Sequence, residues 1–334
     1  MSISILLVHS GNETFVRLDQ KFLSKHFQVQ TLYVPLPFPI NLFRYWQGIR
    51  KADLLFCWFA SWNCLWGIVI SKLYNIPSVL VIGGYDVAKD HKANYGHQRG
   101  GIKKLFSRLA MKYATKLTSF SYYSRDEAER NANIPSSRIE VIYLGVPDRF
   151  SNAELSRKEQ MILGVGNIDW VNLKRKGWES FVRAAKHLQE FTFVLVGNCT
   201  DGSIDYLKSI AGKNVIFTGR ISDDELNRYY QRASYYVQAS SHEGFGLSVA
   251  EAMLAKCIPI VSQVGSLPEV VGDCGLYLDD CEPETIAKTI NNIPEHSDLG
   301  NRARQRILEL FPPENRIDKL RQLIERSNDR PSSI

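Results

Sequence analysis

Several motifs are missing from this sequence of 334 residues, and each absence removes a class of protein. The six cysteines, Cys57, Cys64, Cys199, Cys257, Cys274 and Cys281, form no Cys-x-x-Cys pair. Several lie among apolar residues, so free thiols in a reducing compartment fit better than a disulfide framework or a zinc site. The seven histidines show no metal-ligand spacing. No Asp-x-Asp occurs, so the paired carboxylates that commonly chelate a nucleotide's divalent metal are absent. No Gly-x-x-x-x-Gly-Lys-Ser/Thr occurs, which argues against a P-loop NTPase. The nearest dinucleotide fingerprint, Gly164-Val-Gly166-Asn-Ile-Asp169, lacks its third glycine, which argues against a dehydrogenase.

Long apolar runs are equally scarce. The N-terminal Met1–Val8 segment has no basic flank and reads as a first strand rather than a signal peptide. The longest uncharged stretch, Leu54–Ser71, is interrupted by Ser61 and Asn63. It reads as a buried strand followed by a helix, not as a membrane span.

What is present is an ordinary globular composition, 44% hydrophobic and 23% charged, with an uneven charge. Residues 1–150 carry 19 Lys and Arg against 10 Asp and Glu, and residues 151–334 carry 22 against 25. The first part is therefore suited to an anionic partner, although it carries no nucleic-acid-binding motif and none is expected to bind. The length suits about two domains.

Apolar β-rich runs alternate with helix-period segments. Strands are expected at Ile3–Val8, Val29–Val34, Leu54–Phe59, Val79–Ile82, Leu117–Tyr122 and Val141–Leu144. A second series comprises Met161–Val165, Thr192–Val196, Val215–Thr218, Tyr235–Ala239, Ile258–Ser262 and Leu276–Leu278. Continuous apolar strands between helices mean parallel sheets covered on both faces. The expected α/β architecture is two facing doubly wound Rossmann-like domains with an interdomain cleft. The first spans 1–150 and the second 151–312, joined by an aperiodic stretch from Gly145 to about Glu159. A last helix in 313–334 is expected to cross back to the first domain.

Ligands bind at the carboxyl ends of strands in such sheets, and three loops there carry chemistry. Gly166-Asn167 leads to the basic run Lys174-Arg175-Lys176 and then Gly177, where a helix begins. Cations beside a helix N-terminus suit a phosphate, and a solvated basic turn is the plainer alternative. Ser240-Ser-His-Glu243-Gly-Phe-Gly246 follows a strand and opens a helix carrying Glu251. Gly244 and Gly246 permit close approach of backbone to a ligand, and the two glutamates suit sugar and ribose hydroxyls. Ser262-Gln-Val-Gly265-Ser-Leu-Pro-Glu269 supplies a further backbone approach.

Together these residues resemble the donor domain of retaining glycosyltransferases of family 4, which have the GT-B fold. The resemblance rests on Glu243-x7-Glu251, on the run from Phe217-Thr-Gly-Arg220 through Ala252-Met-Leu254 to Pro268-Glu269, and covers most of 160–280 closely. It implies that Glu251 holds the nucleotide ribose and that Glu243 contacts the transferred sugar. It implies that amides around Phe245–Leu247 hold the sugar and diphosphate, and that Lys176 binds phosphate. Many members have an arginine where this chain has Asn167; Arg175 or Arg220 is the candidate replacement. In the first domain Gly11 is a candidate neighbour of the phosphates. Asp86, in Gly83-Gly-Tyr-Asp86, is a candidate catalytic residue near the donor sugar or the acceptor, with turn capping as its alternative. Ser121 reads as a helix cap.

The implied reaction moves a hexose from a nucleoside diphosphate sugar to a hydroxyl of a saccharide or lipid-linked saccharide, with retention. No cofactor or divalent metal is expected. The alternatives are a sugar-nucleotide epimerase of the GT-B type and a non-catalytic sugar-nucleotide-binding subunit. Residues Ile102–Lys116 form an amphipathic basic segment, suited either to core packing or to anionic lipid. A cytoplasmic location with peripheral contact at the inner face of the membrane is the corresponding expectation.

Overall fold

The computed structural model describes residues 3–11, 13–34, 40–151, 157–294 and 298–328. The chain divides into two compact units. One comprises Met1–His91, Tyr95–Gly145 and Pro313–Ile334; the other comprises Lys92–Asn94 and Val146–Pro312. The division at Gly145/Val146 falls before the expected 150. Val146 N donates to Phe311 O, and Asp148 is paired with Arg304 at 2.6 Å, which ties these residues to the second unit. Residues 152–156 of the expected linker lie outside the described residues.

The first unit holds a parallel sheet of β1 (Ser4–His9), β2 (Gln28–Tyr33), β3 (Leu54–Trp58), β4 (Ser78–Ile82), β5 (Lys116–Ser119) and β6 (Ile139–Val141), in the order β2-β1-β3-β4-β5-β6. Every residue of β3 and β4 is buried, which is why these segments read as unbroken apolar runs. The 54–71 stretch is indeed β3 followed by the helix Trp62–Leu73. Among the described residues no helix is long and apolar enough to cross a membrane.

The second unit repeats the plan with β7 (Glu159–Val165), β8 (Thr192–Val196), β9 (Val215–Gly219), β10 (Ala233–Gln238), β11 (Ile258–Ser262) and β12 (Leu276–Leu278), in the order β12-β11-β10-β7-β8-β9. Its core gathers Trp178, Phe181, Phe193, Leu195 and Val237 around the sheet. In each unit the chain leaves the first strand in one direction and later returns to its other side. The switch points lie between β1 and β3 and between β7 and β10, and loops at the carboxyl ends of those strands diverge to leave a crevice.

The final helix is Pro313–Asn328, and proline is tolerated in its first turn, where the missing N–H costs nothing. Arg316 anchors this helix in the first unit. It donates to both carboxylate oxygens of Asp19 at 2.6 Å, and to the carbonyls of Ile142 and Tyr143 at 2.8 and 3.1 Å. The helix Ile40–Ile49 was not expected from periodicity, nor were Trp170–Arg175 and Ser203–Ile210. The amphipathic segment forms the helix Gly101–Tyr113, but its core face is Ser107, Ala110 and Met111. Ile102 and Leu105 are instead 62% and 54% exposed.

Candidate active site

The two loops that flank the switch point of the second sheet meet in an ion cluster. After β7, Asp169 caps the short helix Trp170–Arg175 by accepting from Asn172 N at 2.8 Å. The Asn172 side-chain oxygen accepts from Arg175 Nε and Nη2 at 3.1 and 2.7 Å, which fixes the guanidinium plane. Arg175 Nη1 then reaches the second loop and donates to His242 O and Glu243 Oε1 at 3.0 and 3.1 Å. Lys176 Nζ donates to the same Oε1 at 2.9 Å. The backbones are joined as well, since Ser241 N donates to Arg175 O at 2.7 Å.

Glycine makes this meeting possible. The Lys176 stem lies across Gly166, where a Cβ would come within 2.9 Å of its Cδ and Cε. The third loop braces Glu243 from the other side: Ser266 N and Oγ donate to Glu243 O at 3.0 and 3.2 Å. Gly265 has φ +63°, and a Cβ there would lie 2.4 Å from that same carbonyl oxygen.

The electrostatics follow from burial. Glu243 is only 8% exposed. Burial pushes its carboxyl up, but Lys176 and Arg175 outweigh burial and hold it at about 2. Burial draws the Lys176 ammonium down, and Glu243 opposes that. The cluster is thus an ionised carboxylate carrying two cations, placed just before Gly246, the left-handed residue that opens the helix Leu247–Leu254. The leading amides of that helix have no partners within it and form a positive pole.

Glu251 lies on the same helix but in a separate group. Tyr230 donates to its Oε2 at 3.2 Å, and Arg149 stands 3.6 Å from its Oε1. Burial raises its carboxyl against the pull of Arg149. Gly244 and Phe245 are buried, with the Phe245 ring edge-on to Phe311 at 5.5 Å; Leu247 is half-buried. Of the two candidate substitutes for the arginine that Asn167 replaces, Arg175 belongs to the ion cluster. Arg220 is exposed after β9, two strands from β7 and so roughly 10 Å across the sheet. The Asn167 side is exposed, and its carbonyl accepts from Trp178 Nε1 at 3.1 Å.

The candidates of the first unit belong to its own switch point. Gly11 follows β1, with the Glu13 carboxylate folded over it and its carbonyl paired with His9 Nδ1. Asp86 is 1% exposed. Its Oδ2 accepts from Ala60 N at 2.8 Å and its Oδ1 from Gly83 N at 3.0 Å. The structure therefore gives Asp86 the capping arrangement, in which it joins the loops after β3 and β4 instead of facing an open surface. Burial pushes it up to about 7, against those two amides. Ser121 caps its helix through an acceptor bond from Ser124 N at 3.0 Å.

Sequence reasoning missed Asn172, Ser266, Tyr230 and Arg149. Nothing marks Asn172 as the partner of Arg175, or Ser266 as the partner of the Glu243 carbonyl, except their places in the same strand-end loops. Tyr230 and Arg149 come from distant segments, and no periodicity links them to Glu251.

Residues 159–296 match the family described as Glycosyl transferases group 1. The O-antigen chain mannosyltransferase RfbU of Salmonella typhimurium is 27% identical over 210 residues, 60% of this chain and 58% of its own length. An uncharacterised glycosyltransferase of Methanocaldococcus jannaschii, MJ1178, is 26% identical over 308 residues, 87% of this chain and 81% of its own. The chain matches only 58% and 48% of the lengths of two of these relatives, the Salmonella protein and a Klebsiella pneumoniae protein from a cps region. Sucrose-phosphate synthase from Thermosynechococcus elongatus superposes with a TM-score of 0.77 at 18% identity, covering 97% of this chain and 98% of its own. Anabaena HepE, in complex with UDP-glucose, gives 0.76 at 17% identity, covering 97% and 100%. The fold is therefore that of the GT-B glycosyltransferases, and the second unit carries a group 1 glycosyl transferase domain.

Proposed function

We propose that this chain transfers a hexose from a nucleoside diphosphate sugar to a hydroxyl of a saccharide or lipid-linked saccharide, with retention and without a divalent metal. The observation that carries the reading is the Lys176–Glu243–Arg175 cluster, set at the amino end of the helix that also bears Glu251. Mannosyltransferases of O-antigen chains among the relatives make mannose the first sugar to try and a polysaccharide precursor the first acceptor.

In this reading the donor diphosphate sits against Lys176 and the leading amides of the helix Leu247–Leu254. Glu243 faces the sugar and Glu251 the ribose, as in the family that the sequence resembles. The bond between the anomeric carbon and the diphosphate oxygen breaks while a bond to the acceptor oxygen forms on the same face. The acceptor proton passes to the leaving diphosphate. The protein supplies charge stabilisation of that diphosphate and holds the reactants in register. Arg175 is a positioning residue, since its guanidinium bridges Asn172, His242 and Glu243. The exposed Ile102 and Leu105, beside Lys103 and Lys104, suit contact with an anionic membrane that would present a lipid-linked acceptor.

The test is a calorimetric screen of UDP, GDP and ADP, followed by transfer from the matching sugars in the presence of a chelator. The anomeric configuration of the product is then read by NMR. Retained configuration with turnover unaffected by the chelator is expected. Inversion, chelator-sensitive turnover, or conversion of the donor without any acceptor would reject the reading.

A further inference from the structure

The segment between β4 and the helix Gly101–Tyr113 lines a surface-open cavity of about 210 Å³. Its lining is His91, Gly96, His97, Arg99, Gly100 and Lys103: two imidazoles, a guanidinium and an ammonium, with no carboxylate among them. It lies at the carboxyl end of the first sheet, the ligand-binding edge of a doubly wound fold. It takes no part in the donor cluster described above.

Three features make it a built site rather than a chance basic surface. His97 is held in place, with Nδ1 3.3 Å from Ala60 O and its ring edge-on to Tyr85 at 4.7 Å. Arg99 is pinned through Nε to Gly96 O at 3.2 Å. The backbone at Gly100 and Gly101, where a Cβ would meet nothing within 4 Å, opens a helix of 13 residues that has no side-chain cap. Its leading amides add to the positive field of the cavity. Burial draws the His97 imidazolium down, as does the Lys103 ammonium, against the hydrogen bond with Ala60 O.

A second observation bears on what the anion is attached to. Ile102 and Leu105, on the same first turns of the helix as Lys103, are 62% and 54% exposed. An apolar ledge beside a cationic seat matches a phosphate group that carries an aliphatic chain.

We propose that this cavity binds the phosphate or diphosphate group of the acceptor. The inference depends on the transferase reading for the acceptor's role, not for the binding itself. The shared chemistry is a phosphate ester, whose source is either a lipid-linked acceptor or a soluble sugar phosphate.

The probe is inorganic pyrophosphate, titrated into the full chain with ¹⁵N-labelled histidine. The His91 and His97 ring signals are assigned through His91→Gln and His97→Gln. Both signals should move saturably, and Lys103→Gln, an exposed residue whose loss leaves the fold intact, should weaken the titration about tenfold. Lys176→Ala should leave it unchanged while weakening nucleoside diphosphate binding, which keeps this site separate from the donor reading. Unmoved rings overturn the proposal, as does wild-type affinity in both Lys103→Gln and Arg99→Gln. Saturable movement in a chain that transfers no sugar upholds the site and counts against the transferase reading alone. The source is separated with neutral vesicles carrying a polyprenyl diphosphate. Weakened vesicle binding in Ile102→Ser/Leu105→Ser, with an unchanged pyrophosphate titration, supports the lipid source. Equal affinity for a short soluble phosphate ester supports the soluble one.

Discussion

Lys176 Nζ and Arg175 Nη1 converge on one oxygen of Glu243, at 2.9 and 3.1 Å, and all three side chains are largely buried. The carboxylate is thus both the counter-ion that keeps two cations in place and the group that the proposed reaction turns toward the sugar. Losing it has two separable consequences.

Glu243→Gln should lower transfer by about a hundredfold or more, because the charge facing the sugar is gone while the shape remains. Both variants should lower stability, Glu243→Ala by about 3–5 kcal/mol, because Lys176 and Arg175 are left buried without their counter-ion. Initial rates and denaturant midpoints of the two variants separate the effects. Full turnover in Glu243→Gln would remove Glu243 from the site.

Gly265→Ala should destabilise more than Gly219→Ala. Both positions have positive φ, +63° and +69°, so each alanine carries the left-handed cost of about 1–2 kcal/mol. At Gly219 a Cβ meets nothing within 4 Å, whereas at Gly265 it runs into the Glu243 backbone. Only Gly265→Ala should therefore also reduce transfer. Equal midpoints for the two variants would contradict the close approach.

The two buried carboxylates predict opposite responses to pH. Glu243, at about 2, lies below an unfolded glutamate at about 4.3. Its stabilisation is complete above the unfolded value and is lost as pH falls through about 2. Asp86, at about 7, lies above an unfolded aspartate at about 3.9. The folded state then binds more protons between those values, so stability falls as pH rises through 7. Denaturation midpoints over roughly pH 2 to 8 should show a weakened acid limb in Glu243→Gln and a weakened neutral slope in Asp86→Asn. Unchanged limbs would dismiss these assignments.

Arg316→Leu should cost about 3–5 kcal/mol, because it strands Asp19, 1% exposed, without its bidentate partner. The double change Arg316→Leu/Asp19→Leu should recover much of the loss. A thermodynamic cycle on the denaturant midpoints measures that coupling; strict additivity would mean that the pair is not coupled.

The sequence alone determined the two parallel sheets, because a parallel strand buried on both faces must be an unbroken apolar run and such runs are visible in Leu54–Trp58 or Thr192–Val196. It also marked the loops after β7 and β10, since Lys176 and Glu243 lie in the connections after those strands, where glycine and charge interrupt the apolar rhythm. Helices such as Ile40–Ile49 and Trp170–Arg175 escaped notice because aromatic, glycine and basic residues blur a 3.6-residue period. Only the tertiary structure decided which partners the charged groups take. Arg175 pairs with Glu243 instead of facing solvent, Asp86 is spent on the amides of Ala60 and Gly83, and Ile102 and Leu105 point out of the core. Spacing within one segment sets what lies on a strand or a helix face, but an ion pair or a cap is a meeting of distant segments. Its outcome rests on burial and on distances that no local pattern encodes.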